Sequence, residues 1–240
     1  MKKFFLILLA IGLTATACIK NGAELPNVIA PIPNSYFDLT SSWTEITTNM
    51  FDEDYCVIYN YKLEGDTIIN GLRYTKVYLN NELYDAAIRV HDNKVYAYFY
   101  DYDKLFAYYP EEMLENLKIY PEKLLYDFNW EIGKTIYHDF YIPMFDSYNY
   151  GKDTIIYGYH TEITEMGSVL LLDGNYYKRI SSGYYYIQGI GSLEGFFKPL
   201  SLLRNANGNQ FELLCFSKNG KLLYQNEKYA NCYSCEKSNP

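Results

Sequence analysis

The sequence predicts an all-β protein, an antiparallel meander of hairpins that forms a sandwich or an incomplete barrel. Three observations support this prediction. Turn-forming dipeptides separate short apolar segments, aromatic residues make up 18% of the chain, and helix signals are few. Aromatic and β-branched side chains fit a pleated, half-buried surface, so their abundance favours strands. A chain of 240 residues is long enough for one large β domain.

Asparagine–glycine and aspartate–glycine pairs predict where tight hairpins lie. Such pairs tolerate the positive φ angles of a type I′ turn, whose twist matches that of the flanking strands. A further turn is predicted at 91–94, between two more strand-like segments. Several turns flanked by strand-forming residues are a much stronger signal than a single one. The three pairs are Asn70-Gly71, Asp173-Gly174 and Asn219-Gly220.

Two segments depart from the strand pattern. Residues 110–117 begin with a proline and two glutamates, which favour a first helical turn, and Pro121 limits the length, so one short peripheral helix is expected. The run 189–195 is rich in glycine but fits neither a nucleophile elbow nor a dinucleotide-binding loop, because Ile190 and Glu194 stand where glycine is required. It predicts a bend that packs closely against another strand.

The amino terminus has the order of a secretory signal peptide over residues 1–17. Two lysines precede an apolar stretch, and small residues follow it directly before Cys18. This order resembles the lipobox of bacterial lipoproteins, although Ala15 replaces the usual leucine. The resemblance implies that Cys18 carries the lipid and anchors the mature chain to the bacterial envelope, with the outer membrane favoured. The alternative is an ordinary signal peptide with an incidental cysteine.

The rest of the chain divides into three parts. A lipidated tether is predicted at 18–35, where prolines interrupt any periodic pattern. A single β-rich domain is predicted at 36–233, and a polar C-terminal tail at 234–240. A formal net charge of −8 without a lysine or arginine cluster argues against nucleic acid as a partner. It also leaves the lipid as the expected contact with the membrane. The oligomeric state stays open.

Four cysteines follow Cys18, and outside the cytoplasm they can oxidise. They allow three pairings, among which the sequence alone does not choose. Cys215 precedes a predicted hairpin and Cys232 follows it, so the returning chain favours the Cys215–Cys232 pair. The pairing of Cys56 and Cys235 is left open. The C-x-x-C at 232–235 lies in a polar segment with no helix pattern, so a redox motif is not expected.

The sequence identifies no catalytic residue, metal ligand or cofactor. None of His91, His138 and His160 has another histidine or a cysteine at the spacing of a zinc site. Glycoside hydrolysis requires two carboxyl groups facing each other across a cleft, which a sequence does not display. A non-catalytic envelope lipoprotein that binds or scaffolds is therefore the first hypothesis, and a glycan hydrolase with paired carboxylates is the third.

The second hypothesis is a glycan-binding module, and it comes from a row of tyrosines at every second position. Along a strand from Val95 to Asp103, alternate side chains point to opposite faces, and Val95, Ala97 and Phe99 would face the core. Exposed phenols on the other face would stack on sugar rings and donate hydrogen bonds. In the alternative interpretation they only form cross-strand pairs that stabilise the sheet. The row consists of Tyr96, Tyr98, Tyr100 and Tyr102.

Sequence phrases at 65–74, 124–135, 189–193 and 214–233 carry a family resemblance. They resemble an uncharacterised family of secreted and lipid-anchored β-rich proteins of Bacteroidetes. The resemblance implies an exported β domain and supports the Cys215–Cys232 pair, but it carries no activity. The same lineage attaches glycans to threonine or serine in the pattern Asp-Thr/Ser-aliphatic. Thr67 and Thr154 match that pattern, and threonine equally well begins a strand.

Overall fold

The computed structural model of the chain describes residues 37–100, 122–143, 156–197 and 208–238. As predicted, the fold is almost entirely β, with a curled antiparallel sheet of half-barrel shape and a second, smaller sheet. The helix predicted at 110–117 lies outside the described residues. None of the described segments forms a helix with the length and apolar character needed to span a bilayer.

The strands alternate with short turns along the chain. In chain order they are β1 (Ser41–Asn49), β2 (Asp52–Ile69), β3 (Leu72–Leu79), β4 (Glu82–His91), β5 (Lys94–Phe99), β6 (Glu122–Asp127), β7 (Thr135–Pro143), β8 (Ile156–Glu162), β9 (Glu165–Leu170), β10 (Tyr176–Ser181), β11 (Tyr185–Ile187), β12 (Gly191–Ser192), β13 (Asn209–Lys218) and β14 (Lys221–Gln225).

The large sheet is a meander to which the last hairpin is added. Its eight strands have the order β14-β13-β1-β2-β3-β4-β5-β6, so β1 to β6 follow one another and β13 pairs with β1. A four-stranded sheet has the order β12-β11-β10-β9, and β7 pairs with β8 separately. All of these pairings are antiparallel, and short turns join the strands only in part of them.

Successive positive φ angles explain the tight hairpins of the large sheet. Three predicted turns have two such residues in a row, as a type I′ turn requires. A turn of the same kind joins β3 to β4 at Asn80-Asn81, which was not predicted because two asparagines are a weaker signal than asparagine–glycine. The φ angles are 50° and 78° at Asn70-Gly71, 50° and 59° at Asp92-Asn93, 52° and 71° at Asn219-Gly220, and 51° and 68° at Asn80-Asn81.

The Asp173-Gly174 pair lies in a wider loop than the predicted two-residue turn. Only Gly174 has a positive φ angle, 83°. The Asp173 carboxylate accepts hydrogen bonds from the backbone amide of Asn175 at 3.0 Å and from the hydroxyl of Tyr177 at 2.7 Å. These bonds stabilise a loop that closes where the amide of Leu171 donates to the carbonyl of Asn175.

Aromatic side chains fill the space between the large and the small sheet. Trp43 on β1 is 1% exposed, and its ring centroid lies 4.5 Å from that of Phe196 and 5.1 Å from that of Phe216. Its indole N–H donates to the carbonyl of Ile190 at 2.9 Å. A buried indole requires such a partner, so this bond fixes the glycine-rich bend against β1.

The bend at 189–195 packs closely against two strands, as predicted. Gly191 has a φ angle of 105°, and a Cβ there would lie 2.7 Å from the ring of Tyr126 on β6. Gly195 has a φ angle of 117°, and a Cβ there would lie 2.9 Å from the carboxylate of Glu45 on β1. Only glycine combines these φ angles with so close an approach.

A second, smaller core lies on the outer face of β1 and β13. Leu213 belongs to the main core and the adjacent Leu214 to the second one, because successive side chains of a strand point to opposite faces. Residues 226–238, here called the C-terminal flap, fold over this face and contribute Tyr229 to the second core. The backbone amide of Ala230 donates to the carbonyl of Glu236 within the flap.

Two disulfides hold the C-terminal flap. Cys215–Cys232 is the pair favoured above, and Cys56–Cys235 joins the flap to β2. Residues 234–238, expected as part of a polar tail, are therefore attached to the outer face of the sheet at Cys235.

Candidate functional site

The outer face of β5 carries the tyrosine row. Val95, Ala97 and Phe99 are buried in the core, as the alternation predicted. Tyr96 and Tyr98 point to the other face and are half-buried. Tyr100 follows the end of β5 and is 46% exposed. Tyr102 lies outside the described residues, as do Cys18 and Thr154.

The strands on either side of β5 place an arginine and a glutamate on the same face. Arg89 of β4 lies opposite Tyr96, and Glu122 of β6 lies opposite Tyr98. Residues opposed in an antiparallel pair share a face, so the two charges meet above β5. Arg89 Nε donates to Glu122 Oε1 at 2.9 Å, and Arg89 Nη2 donates to Glu122 Oε2 at 3.0 Å.

Tyr74 of β3 adds a fourth strand to this arrangement. Its hydroxyl donates to Glu122 Oε1, and its ring meets that of Tyr98 edge-on with centroids 6.0 Å apart. Tyr98 in turn meets Tyr100 edge-on at 5.6 Å. Edge-on contacts of this kind are a favourable geometry for aromatic pairs, so the rings support one another.

Arg89 lies between its carboxylate partner and an aromatic ring. Its guanidinium carbon is 4.5 Å from the ring centroid of Tyr96 and 5.8 Å from that of Tyr74. Both distances are within the range of a cation–π interaction. The ion pair and the rings therefore form one connected group, here called the tyrosine patch: Tyr74, Arg89, Tyr96, Tyr98, Tyr100 and Glu122.

Burial and hydrogen bonding fix the protonation of the patch. Burial raises the pKa of Tyr74 to about 12, and the hydrogen bond to Glu122 acts in the same direction. For Arg89, burial disfavours the charge, but the hydrogen bonds and charge of Glu122 outweigh it and raise the pKa. Burial also raises the pKa of the Tyr100 phenol. At neutral pH these two phenols are therefore uncharged and the guanidinium is charged.

The patch offers a ligand both aromatic surface and polar groups. The side chains of Arg89 and Glu122 keep 17% and 28% of their surface exposed. A guanidinium has five N–H donors, of which the bonds to Glu122 use two, and a carboxylate accepts more than two hydrogen bonds. Such an arrangement suits the positioning of a polar ligand. The Glu122 carboxylate is already bonded to Arg89 and Tyr74, which does not favour a role in acid–base catalysis.

Sequence reasoning identified the three described tyrosines of the row and missed the other members. Arg89 could have been predicted from the sequence, because the predicted turn at 91–94 sets it opposite Tyr96. The position of Glu122 could not be predicted, because its strand follows β5 only after a long segment and carries no turn signal that fixes its register. Tyr74 depends on the same long-range contact.

Thr67, a predicted glycan acceptor, borders the patch. Its side chain is half-buried and is hydrogen-bonded to that of Tyr100. The neighbouring Asp66 forms an ion pair with Arg73. Thr67 therefore has a structural contact of its own in the absence of any modification.

Across the described ranges, no group of three or more histidine, cysteine, aspartate or glutamate side chains is arranged to hold a metal ion. Comparison of the chain with protein-family models, with curated proteins and with solved structures gives no significant match.

Proposed function

We propose that this chain is an exported, lipid-anchored envelope protein whose β domain binds glycans without catalysis, through the tyrosine patch. One observation carries the glycan part: partly exposed Tyr96, Tyr98 and Tyr100, together with the buried Tyr74, surround an arginine–glutamate pair on the outer face of the sheet. Non-catalytic binding or scaffolding by an envelope lipoprotein is the broader class to which this proposal belongs.

The composition of the patch matches the surface of a sugar. A pyranose ring has an apolar face of C–H groups and a rim of hydroxyls. Tyrosine rings provide apolar contact together with a polar tip, and Arg89 and Glu122 supply additional donors and acceptors. Binding sites in general combine apolar or aromatic surface with a small number of well-placed polar groups.

The anchoring part of the proposal rests on the amino terminus and on the disulfides. The signal-like residues 1–17 end at Cys18, and residues 18–35 would connect the lipid to the domain. Two disulfides between distant strands and the flap favour an oxidising compartment such as the periplasm or the cell surface.

The glycan proposal is tested with the soluble domain on a glycan array, followed by titration of the best ligand. We expect the double variant Tyr98→Ala/Tyr100→Ala to lose about tenfold or more in affinity, because two aromatic contacts of ~1 kcal/mol each are removed. Tyr176→Ala is the matched control, since Tyr176 is 42% exposed on β10 and lies outside the patch.

Thermal unfolding of each variant shows whether the fold is retained. Binding that survives in the folded double variant, or that is lost equally in Tyr176→Ala, would contradict the assignment to the patch. A wild-type domain that binds none of the glycans on the array would contradict the proposed function itself.

A further inference from the structure

We infer that the tyrosine patch selects neutral over anionic glycans and that Glu122 is the residue that sets this selectivity. The inference rests on the proposed function and narrows the class of ligand for the same site. Its basis is the way in which Glu122 engages Arg89.

Glu122 uses the part of Arg89 that an acidic ligand would need. Arginine recognises a carboxylate or a phosphate through two parallel N–H···O bonds, and this fork is the reason for its frequent use in anion sites. In the patch, Nε and Nη2 already form both bonds, at 2.9 and 3.0 Å, with the two oxygens of Glu122. A uronate or a sulfated sugar would have to displace the side chain of Glu122 from this position.

Two contacts oppose this displacement. Tyr74 donates its hydroxyl to Glu122 Oε1, so the carboxylate has a second partner. The guanidinium lies against the Tyr96 ring at 4.5 Å, which restricts its rotation toward a new anion. The remaining exposure of 17% for Arg89 and 28% for Glu122 leaves room for hydroxyl groups to bond at the edges of the pair.

A lysine on this face does not reproduce the fork. Lys76 of β3 lies opposite Ala87, which lies opposite Tyr98, so Lys76 shares the outer face with the patch. Its ammonium is a point charge on a flexible stem, which attracts anions without the two-point geometry that arginine provides. The chain as a whole has a formal net charge of −8, which repels an acidic polymer at longer range.

A neutral sugar requires no such displacement. Its hydroxyls both donate and accept, so adjacent hydroxyls can bond to the free edges of the guanidinium and of the carboxylate at once. Glu122 and Arg89 would then act as a pre-formed pair. Because the two side chains are already ordered, binding would cost less side-chain entropy.

The test compares each neutral polysaccharide with the same polymer oxidised at its primary hydroxyl to a uronate, using polymers in which that hydroxyl is free: starch, β-1,4-mannan and β-1,4-galactan. Affinity electrophoresis or biolayer measurements at low and high salt give the ratio of the two affinities. We expect wild type to prefer the neutral member of a pair by about tenfold, because a hydrogen bond to a charged group is lost to the competing Glu122. Salt should change the neutral affinity little.

Glu122→Gln keeps the shape of the side chain and one acceptor but removes the charge. We expect its ratio of uronate to neutral affinity to rise about tenfold or more, in a salt-sensitive manner, because the Arg89 fork becomes available to the uronate while the sugar hydroxyls lose a charged acceptor. The double variant Glu122→Gln/Arg89→Gln should lose that gain, and Lys76→Gln in the Glu122→Gln background should retain most of it.

The outcomes separate the two proposals. If wild type binds glycans in a manner that depends on Tyr98 and Tyr100 but prefers uronates, the selectivity is wrong and the glycan function stands. A folded Glu122→Gln variant without a gain for uronates also refutes the selectivity. If wild type binds neither member of any pair and no glycan on the array, both proposals are refuted. The wild-type preference requires no variant, so a misfolded substitution does not remove the test.

Discussion

Asp38 ties the beginning of β1 to the end of β13. Its carboxylate accepts hydrogen bonds from the hydroxyl of Thr40 at 2.6 Å, from the amide of Thr40 at 2.9 Å and from the ammonium of Lys218 at 2.8 Å. Burial disfavours the charge, but these bonds outweigh it and lower the pKa of Asp38 below 3.8. The carboxylate therefore contributes stability above pH 3.8, and this contribution is lost as the pH falls through the lowered pKa.

We expect Asp38→Asn to reduce the free energy of unfolding at neutral pH by about 0.5–1 kcal/mol, as for other partly exposed ion pairs. The difference from wild type should disappear in acid, because the wild-type carboxyl is then protonated and has lost its ion pair. Urea unfolding from neutral pH down to about pH 2 measures both effects. Glu53→Gln, which removes an exposed acid, is the control. A deficit that persists unchanged in acid would show that the charge of Asp38 does not matter.

Single residues were predictable from the sequence where the cause is local. The alternation of Tyr96 and Tyr98 with Val95 and Ala97 follows from the two-residue repeat of any strand, so both faces of β5 could be assigned. Partners across the fold could not be assigned. The glycines of the bend indicated a close approach, but not that Tyr126 lies against Gly191, because that contact depends on two sheets packing together.

The C-terminal flap is held by two covalent links in addition to the packing of Tyr229 and the hydrogen bonds of Asn226 and Lys228 to β13. Its one β-bridge joins Tyr229 to Lys237 within the flap, while the disulfides attach it to β13 and β2. The two cross-links close loops of very different length, since their cysteines are separated by 179 residues for Cys56–Cys235 and by 17 for Cys215–Cys232. The longer loop restricts the unfolded chain more.

We therefore expect removal of Cys56–Cys235 to lower stability more than removal of Cys215–Cys232, by about 1–2 kcal/mol in the chain-entropy account. The comparison uses Cys56→Ser/Cys235→Ser and Cys215→Ser/Cys232→Ser, each with the other disulfide intact. Chemical unfolding under non-reducing conditions gives the two free energies. Equal losses, or a larger loss for the shorter loop, would show that packing of Cys215 in the second core outweighs loop entropy.

Hairpins were predictable as far as turn chemistry specifies them. Asn70-Gly71 and Asn219-Gly220 occupy the left-handed region at both positions, as their residue types favour. Asp173-Gly174 has the same letters but a different loop, because the Asp173 carboxylate finds partners at Asn175 and Tyr177. The dipeptide therefore predicts that the chain reverses, and side-chain contacts decide the loop length.

At the scale of the molecule, the outer face of the large sheet is divided between two structures. The C-terminal flap covers β1 and β13, and the tyrosine patch lies over β3 to β6. In the strand order, β2 lies between β1 and β3, so the flap and the patch occupy opposite ends of the same outer face. This division leaves Tyr100 exposed while Tyr229 is buried.

The proposed anchor gives a prediction for the whole chain in the cell. We expect wild type in the membrane fraction with a diacylated Cys18 as its first residue, and Cys18→Ala in the soluble fraction, because the attached lipid chains are the expected membrane contact. Ala15→Leu restores the usual lipobox residue and should remain in the membrane fraction. Mass spectrometry of the mature amino terminus decides the question. An unmodified Cys18, or a membrane-bound Cys18→Ala variant, would refute the anchor.

The fold class was predictable from composition and turns, whereas the closure of the sheet was not. The sequence indicates a meander where the turns are local, as at Asn70-Gly71 and at 91–94, but not the addition of β6, which follows β5 only after a long segment. It contains no local signal for the pairing of β1 with β13, in which Ser41 lies opposite Lys218 far along the chain. Nor does it indicate how the glycine-rich bend places Ile190 against Trp43. The first contact is a pairing of distant strands within one sheet and the second arises from packing between sheets, so neither has a local cause.

The distribution of aromatic residues gives the protein a built-in optical reporter. Both tryptophans of the chain, Trp43 and Trp130, are buried in the main core, at 1% and 4% exposure, and neither belongs to the tyrosine patch. Indole emission excited at the red edge of the absorption band should therefore follow unfolding and stay nearly constant when a saccharide occupies the patch. Tryptophan emission can then report on whether the core is folded, while a separate signal in the same sample reports on saccharide binding to the patch.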